Sequence, residues 1–165
     1  EASSGVMALM GGNITVNHCT IANYYLFSAL GGEAVQFYHW NNESDNGSGM
    51  PLMSASFSNT VIYGNGTDLS EGDFSGADIY FRRCALKSAG DDDGNFINCL
   101  WDTDPLYGTI REEYLFDYRL REGSPLIGAA DPSLTLPEAA TDSYGVNRLP
   151  QPSIGAYQMM FPEEE

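Results

Sequence analysis

Residues 14–21 read ITVNHCTI, and this stretch decides the fold because its pattern occurs four times in the chain. Apolar side chains occupy every second position up to Val16. Two residues that do not fit this alternation follow, and the alternation resumes at Cys19. Alternation of period two is typical of a β-strand, so the pattern predicts two short strands joined by a bend. The other copies are residues 55–62, 79–86 and 94–101.

Equivalent positions in the four copies predict that the strands stack. One position holds Cys19, Thr60, Cys84 and Cys99, at intervals of 41, 24 and 15 residues. A coil of a parallel β-helix takes roughly 20–30 residues, a common solenoid period. The second interval therefore matches one coil, the first contains an added loop, and the third is a truncated coil. We predict an all-β protein, a right-handed parallel β-helix (a solenoid) with an irregular C-terminal cap.

The cysteines are expected to be core residues, since free cysteine is among the most buried residue types. A disulfide between Cys84 and Cys99 is the alternative, although an odd number of cysteines leaves one unpaired. The sequence has no CxxC motif and no Cys/His cluster, so a zinc site is not expected. The bend residues of each copy are expected to face solvent.

The domain organisation follows from where the repeats end. Residues 1–107 are assigned to β-helix coils, residues 108–162 to the cap, and residues 163–165 to a disordered tail. The chain begins with what reads as a strand without its neighbour. We therefore expect upstream coils, or another chain, to cover residues 1–10, and we interpret the sequence as the C-terminal part of a longer protein.

The charge of the chain argues against several partners. The formal net charge is −16, and residues 1–81 contain no Lys or Arg. Such a surface repels phosphate backbones, so DNA and RNA are not expected partners. No stretch approaches the ~20 apolar residues of a membrane span, so no transmembrane segment is expected. The composition suits a soluble extracytoplasmic protein.

Six stretches, taken in order, carry a resemblance to a known family. They are residues 59–65, 77–80, 104–107, 117–128, 145–148 and 154–157. In them the chain resembles right-handed parallel β-helix proteins of Gram-negative bacterial surfaces, which belong to the pectate-lyase-like superfamily and end in a choice-of-anchor type Q region. The resemblance covers most of residues 5–158. It implies secretion to the periplasm or cell surface and an association with glycans, but no defined activity.

The chain departs from the pattern of this family at three positions in the predicted cap. Gly128 and Ser153 stand where the family usually has Asp, and Gln158 stands where it usually has Glu. We expect these departures to concern the packing of the cap.

An aromatic stretch beside the polar loop of residues 41–49 is the best binding candidate. It contains Tyr38, His39 and Trp40. Alternate residues of a strand share a face, so either Tyr38 and Trp40 or Phe37 and His39 point outward together. An exposed Tyr/Trp pair would form a platform on which sugar rings stack. The alternative, which we rank ahead, is that the aromatic rings pack beneath the loop.

A run of acidic residues is the candidate metal site. Asp91, Asp92 and Asp93 could bind calcium, which takes several carboxylate and carbonyl oxygens. A solvated turn is the more frequent outcome for an acidic run.

The catalytic residues, if there are any, remain unknown. Lyases that share the fold of the resembled family use Lys or Arg as base, and Arg82, Arg83 and Lys87 precede the acidic run. Such cations could stabilise the enolate formed beside a uronate. Arg82 and Arg83 occupy a bend that we expect to face solvent, which argues against catalysis there.

We predict a secreted or cell-surface β-helix module without catalytic activity, which binds glycan or a protein partner in a bacterial surface assembly. One alternative is the C-terminal part of a polysaccharide lyase or glycoside hydrolase whose active site lies mainly upstream. The other is a structural stalk. A groove lined by the three cations would favour catalysis, an exposed aromatic row with Tyr38 or Trp40 would favour binding, and a stalk needs neither.

Overall fold

The computed structural model describes residues 5–24, 32–38, 51–70, 74–109 and 111–159, the Arg111 side chain excepted. Within these ranges the regular structure is mostly β-strand, as expected of an all-β chain. The strands are β1 (Met7–Leu9), β2 (Gly12–Asn17), β3 (Thr20–Asn23), β4 (Val35–Phe37), β5 (Leu52–Ser58), β6 (Val61–Gly64), β7 (Ile79–Arg82), β8 (Ala85–Leu86) and β9 (Phe96–Ile97). Short 3-10 helices lie at Arg111–Glu113, Pro132–Leu134 and Pro137–Ala139. None of the helices in these ranges is long and apolar enough to cross a membrane.

The strands divide among three small parallel sheets. β1 pairs with β4, the second sheet has the order β2-β5-β7-β9, and the third has the order β3-β6-β8. The predicted right-handed parallel β-helix is wrong, because the sheets are separate and no solenoid stack is seen. The strands are as short as two residues, and the unequal intervals between the copies give no coil of constant length.

Within the sheets, equivalent positions of the repeated pattern are paired, as the sequence predicts. Val16, Phe57, Phe81 and Phe96 are consecutive partners across the four-stranded sheet. The rings of Phe57 and Phe81 stack with their centroids 4.8 Å apart, and those of Phe81 and Phe96 with 4.7 Å. Phe57 and Phe81 are completely buried, so this row of rings forms the centre of the main core.

The cysteines border the same core. Cys84 is completely buried, as expected, whereas Cys19 and Cys99 are half-buried and pack against the core. All three thiols are free. Burial raises the pKa of the Cys84 thiol, because a thiolate would lose its hydration there.

Each copy of the pattern bends at a residue with a left-handed backbone. His18, Asn59, Arg83 and Asn98 have φ angles of 48°, 50°, 53° and 53°. Asn tolerates this conformation better than most residues do. The prediction that the bends face solvent is wrong for His18, which is 4% exposed, and for Asn59, which is completely buried. We call His18, Asn59 and Arg83 the bend row.

Residues 108–159, which we call the C-terminal segment, cover the bend row. Asn59 Nδ2 donates to the carbonyl of Asp131 at 2.9 Å, and Asn59 Oδ1 accepts the N–H of Asp131 at 2.9 Å. Arg83 Nε donates to the carbonyl of Ala129 at 2.5 Å. These bonds supply backbone groups of the segment with partners that a strand neighbour would otherwise provide.

The same segment continues to the first copy of the pattern. His18 Nε2 lies 2.9 Å from Thr135 Oγ1, and Asn17 Nδ2 donates to the carbonyl of Leu134 at 2.8 Å. The residue numbers in the segment rise as it passes from the third copy back to the first. The segment therefore joins three copies that are far apart in sequence.

A glycine of the C-terminal segment also contacts the bend row. Gly155 has a φ of 103°, and its N–H donates to the carbonyl of Asn59 at 2.9 Å. A Cβ at this position would lie 2.9 Å from Thr20 Oγ1 and 3.0 Å from Val61 Cγ1. Both the left-handed backbone and the close approach therefore favour glycine.

Candidate functional site

The structure places the first residue of the predicted aromatic platform on the surface. Tyr38, directly after β4, is 43% exposed, whereas Phe37 is buried. Of the two predicted orientations, the described residues therefore follow the one with Tyr38 outward. The Tyr38 hydroxyl donates to Gln36 Oε1 at 2.9 Å. His39 and Trp40 lie outside the described residues, so the platform stays a prediction.

The predicted calcium residues lie in an exposed turn. Asp93 Oδ1 accepts the N–H of Asn95 at 2.7 Å, and Asp92 Oδ1 accepts the N–H of Cys99 at 3.1 Å. Asp91 is exposed beside them. In the part of the chain that the structure describes, no group of three or more His, Cys, Asp or Glu residues is arranged to hold a metal ion. The calcium site stays a prediction, and these contacts account for Asp92 and Asp93 as turn residues.

The three cations before this turn are engaged within the protein. The Arg82 guanidinium lies 4.6 Å from the centre of the Tyr80 ring, a cation–π distance. Lys87 Nζ donates to the carbonyls of residues 65 and 66 at 3.1 and 2.9 Å. Arg83 holds the C-terminal segment. The three side chains therefore bind a ring and backbone carbonyls, which is a structural use of their charge.

The C-terminal segment contains a cleft with a volume of about 530 Å³. This volume lies in the range of small-molecule binding sites. None of the residues predicted as site residues lines it. The lining residues with polar or aromatic groups that bear on binding are Asp117, Arg119, Arg121, Asp142, Tyr144 and Tyr157.

Two tyrosines form one wall of the cleft. The rings of Tyr144 and Tyr157 have their centroids 5.8 Å apart and are tilted by 32°. Tyr144 is 71% exposed, whereas Tyr157 is half-buried. A supported ring beside an exposed one presents aromatic faces to a ligand in the cleft. Each ring also has a hydroxyl group that can donate and accept hydrogen bonds.

The carboxylate of Asp142 holds the turn that presents Tyr144. Its Oδ1 accepts the N–H groups of Tyr144 and Val146, each at 2.9 Å, and its Oδ2 accepts the N–H of Gln158 at 2.9 Å. Burial alone would raise the pKa of Asp142, but these three donors together lower it. Gly145 has a φ of 80°, which closes the turn. One buried carboxylate thus fixes the chain on both sides of the tyrosine wall.

An ion pair between Asp117 and Arg119 also lines the cleft. Arg119 Nε lies 2.9 Å from Asp117 Oδ1, and Arg119 Nη2 lies 2.6 Å from Asp117 Oδ2. The hydrogen bonds from Arg119 lower the pKa of Asp117, so this carboxyl group is ionised at neutral pH. The pair is largely exposed and contributes little to stability. It does place a planar donor group and a carboxylate near the two rings.

A hydrogen-bonded cluster that adjoins the cleft through Gln158 contains all three departures from the pattern of the resembled family. Gly128 N–H donates to Ser153 Oγ at 3.2 Å, and Ser153 N–H donates to Gln158 Oε1 at 2.8 Å. Gln158 Nε2 donates to the carbonyls of Gln151 and Met159, each at 3.1 Å. Gln158 thus acts as acceptor and donor at once, which a carboxylate cannot do. The expectation that these positions concern packing of the cap agrees with these contacts.

A second concavity, of about 540 Å³, lies beside Asp78, Tyr80 and Asp93. One face of the Tyr80 ring is already covered by the Arg82 guanidinium. The cleft of the C-terminal segment offers two rings, an ion pair and a further cation, so it is the stronger candidate site.

His18, which does not line the cleft, is a further titratable group with a shifted pKa. Burial, followed by the nearby Arg148 guanidinium, lowers the pKa of His18 to about 4. Asn59 Nδ2 lies 3.2 Å from His18 Nε2, and because an amide NH₂ can only donate, this contact uses Nε2 as the acceptor. This imidazole is buried under the C-terminal segment. Its position fits a structural role better than an exchange of protons with a substrate.

Sequence reasoning missed the cleft because its residues come from separate turns. Two local signals were present. One strand-like stretch has charged residues at the alternate positions Asp117, Arg119 and Arg121, with the apolar Leu120 between the two arginines. The sequence DSYG at residues 142–145 is typical of a turn in which Asp binds the backbone, and it carries an aromatic residue at the tip.

Comparisons of the chain with protein-family models, with curated proteins and with solved structures found no match. The resemblance to bacterial surface proteins with a choice-of-anchor region therefore stays a prediction, whereas the β-helix fold is wrong, and the function must be argued from the cleft.

Proposed function

We propose that the protein is a non-catalytic carbohydrate-binding module that acts outside the cytoplasm. The observation that carries this proposal is the pair of Tyr144 and Tyr157 beside the Asp117–Arg119 ion pair in one cleft. A sugar ring has apolar C–H faces that stack on aromatic rings, and a rim of hydroxyl groups that bind planar donors and carboxylates. The cleft offers both kinds of partner side by side.

The hydrogen bonds that order the site support binding of a rigid ligand. The turn at Tyr144 is fixed by two hydrogen bonds to the Asp142 carboxylate, and Tyr157 adjoins Gln158, whose N–H donates to the same carboxylate. A site that is already ordered loses little entropy when it binds. A ligand as rigid and polar as a pyranose suits it.

The enzyme alternative draws less support from the described residues. Arg82, Arg83 and Lys87, the candidate bases, are engaged by a ring and by backbone carbonyls. The polysaccharide partner and the cell-surface location are part of the present proposal. The expected cover over residues 1–10 also stays a proposal. Within the described part of that stretch, Val6 and Met10 are 42% and 59% exposed.

The test is binding of the 165-residue chain to a panel of immobilised oligosaccharides that spans neutral glucans, mannans and galactans and uronate-containing chains. We expect binding to at least one class. Tyr144→Ala should weaken it about tenfold, equivalent to about 1.4 kcal/mol. Tyr38→Ala is the matched control, since it removes an exposed tyrosine elsewhere.

Two results would count against the proposal. Loss of binding in Tyr38→Ala with normal binding in Tyr144→Ala would move the site to the predicted aromatic platform. Failure of the unmodified chain to bind any member of the panel would reject the carbohydrate-binding function.

A further inference from the structure

The described cationic side chains differ in whether another group of the protein binds their charged end. Arg82 covers a tyrosine ring, Arg83, Lys87 and Arg148 donate to backbone carbonyls, and Arg119 pairs with Asp117. Within the described ranges, the Arg121 side chain makes no hydrogen bond, ion pair or ring contact, although the chain carries a net charge of −16. Among the cations that the structure describes, Arg121 is therefore the one that is unpaired.

Arg121 is unpaired at the cleft itself. Leu120 is 8% exposed and pairs across an antiparallel bridge with Tyr107. Side chains alternate along an extended chain, so Arg119 and Arg121 lie on the face opposite to Leu120. Both residues line the cleft with the two tyrosines. Arg119 pairs with Asp117, and the Asp142 carboxylate of the same cleft accepts three backbone N–H groups, so Arg121 is the charged lining residue whose side chain has no partner among the described residues.

We propose that the cleft selects pyranosides that carry an anionic substituent, and that Arg121 is the residue that selects them. This inference rests on the proposed carbohydrate-binding function. A guanidinium has a planar fork of N–H donors that matches a carboxylate or a sulfate group with two parallel hydrogen bonds. The anionic group is the C6 carboxylate of a hexuronic acid or a sulfate ester at the same carbon.

The charge of the rest of the protein limits the kind of anionic ligand. A long polyanion would extend over an acidic surface and be repelled by it. A single charged sugar unit bound at Arg121 would instead lie within a few ångströms of the guanidinium group. The Debye length is about 10 Å at 0.1 M salt, so added salt weakens the distant repulsion more than the direct contact. Short anionic oligosaccharides are thus the favoured ligands.

The experiment compares sugars that differ at one carbon. Dissociation constants of the 165-residue chain are measured by ligand-observed NMR for methyl glycosides of glucose, galactose and mannose, each as the neutral sugar, the uronate and the 6-sulfate. We expect at least one uronate or sulfate to bind about tenfold more tightly than its neutral counterpart. The two charged arms show which anionic group the cleft takes.

The Arg121→Gln variant tests the assignment of the residue. It should bring the affinity for the charged sugar down to that for the neutral one measured on the same variant, so that the ratio of the two affinities falls from about ten to about one. Arg82→Gln is the control, because it removes one positive charge away from the cleft. Equal loss of discrimination in Arg82→Gln would mean that net charge, and not Arg121, selects the ligand.

The outcomes separate this inference from the function on which it rests. If the unmodified chain binds charged and neutral sugars equally, the anionic selectivity is rejected and carbohydrate binding stands. If discrimination survives in Arg121→Gln, the role of Arg121 is rejected. If no sugar of any kind binds, the proposed function fails and the inference fails with it.

Discussion

In the four-stranded sheet, β2, β5, β7 and β9 are aligned by backbone pairs between equivalent residues of one repeated pattern. The C-terminal segment is held differently. Its backbone is bound both by turn hydrogen bonds between backbone groups and by side chains. These side chains are the distant Asn59 and, within the segment, Asp142, Arg148 and Gln158. Both regions satisfy their buried backbone groups, but the sheet does so with other backbone groups, whereas the segment also relies on individual side chains.

This difference determines where a binding site can form. In the sheet, packed rings such as Phe81 occupy the inward positions, and the strand pairing fixes the spacing of the other side chains. In the segment, a turn fixed by the Asp142 carboxylate presents Tyr144, and a single antiparallel bridge at Leu120 positions Arg121. The regular part of the molecule thus acts as a scaffold, and the irregular part carries the candidate site. Four changes test this comparison, in order of decreasing effect on stability at neutral pH.

Removing a ring from the stacked core should have the largest effect. Phe81→Ala deletes a completely buried ring that stacks on both Phe57 and Phe96, so the free energy of unfolding should fall by about 4 kcal/mol. Tyr144→Ala removes a ring that is 71% exposed, and the change should be about 0.5 kcal/mol or less. Urea denaturation measures both values. Similar losses in the two variants would remove the distinction between scaffold and site.

The amide of Asn59 should be the strongest single link between the two regions. Asn59→Ala removes two hydrogen bonds to Asp131 and leaves the partly buried N–H and carbonyl of that residue unpaired, at a cost of about 2 kcal/mol. Amide hydrogen exchange of residues 129–136 should speed up more than that of β5 and β7.

Asn98→Ala is the matched control for Asn59→Ala. Asn98 has nearly the same φ, 53° against 50°, and is exposed, so it reports the cost of the left-handed backbone alone. If Asn98→Ala were as destabilising as Asn59→Ala, the effect would come from the backbone conformation and not from the link.

Replacing the amide of Gln158 by a carboxylate should destabilise the segment. In Gln158→Glu the new group cannot donate to the carbonyls of Gln151 and Met159, so we expect a loss of about 1–2 kcal/mol. Gln151→Glu introduces the same charge at an exposed side chain and should change the stability little. Thermal denaturation of both variants at pH 7 is the measurement. A Gln158→Glu protein as stable as the parent would show that its amide donors are dispensable.

The effect of His18 should be small at pH 7 and grow in acid. Its folded pKa, about 4, lies below the ordinary value of 6.5, so between these pH values the unfolded state takes up a proton that the folded state excludes. The melting temperature should therefore fall as the pH is lowered from about 7 to about 4. His18→Asn keeps a residue that tolerates φ 48° and should reduce this dependence. An unchanged pH profile in the variant would assign the acid sensitivity to other groups.

Much of the regular part of the fold could be predicted from the sequence. The alternating pattern and its equivalent positions predicted which residues pair, and Phe57 and Phe81 do pair. The same pattern could not show how the sheets are arranged, because alternation defines the faces of a strand and not the angle at which the chain leaves a bend. The β-helix prediction extended a local pattern to the whole chain and was wrong.

The covered bends and the cleft could not be predicted in the same way. Asn59 and Asp131 are 72 residues apart, and neither residue indicates the other in the sequence. The three bend positions were expected to face solvent because they are polar. They are polar because they bind the backbone of the segment that covers them.

The most direct test of the account is a heteronuclear NMR titration of the 165-residue chain with whichever methyl glycoside binds most tightly. The account predicts that amide shifts change at residues 117–121, 142–146 and 157–159, which surround the cleft, and stay unchanged in β2, β5 and β7. Shift changes along the outer face of the four-stranded sheet, with none in these three stretches, would contradict it. The sheet would then be the binding surface, and the C-terminal segment would serve to cover the bends.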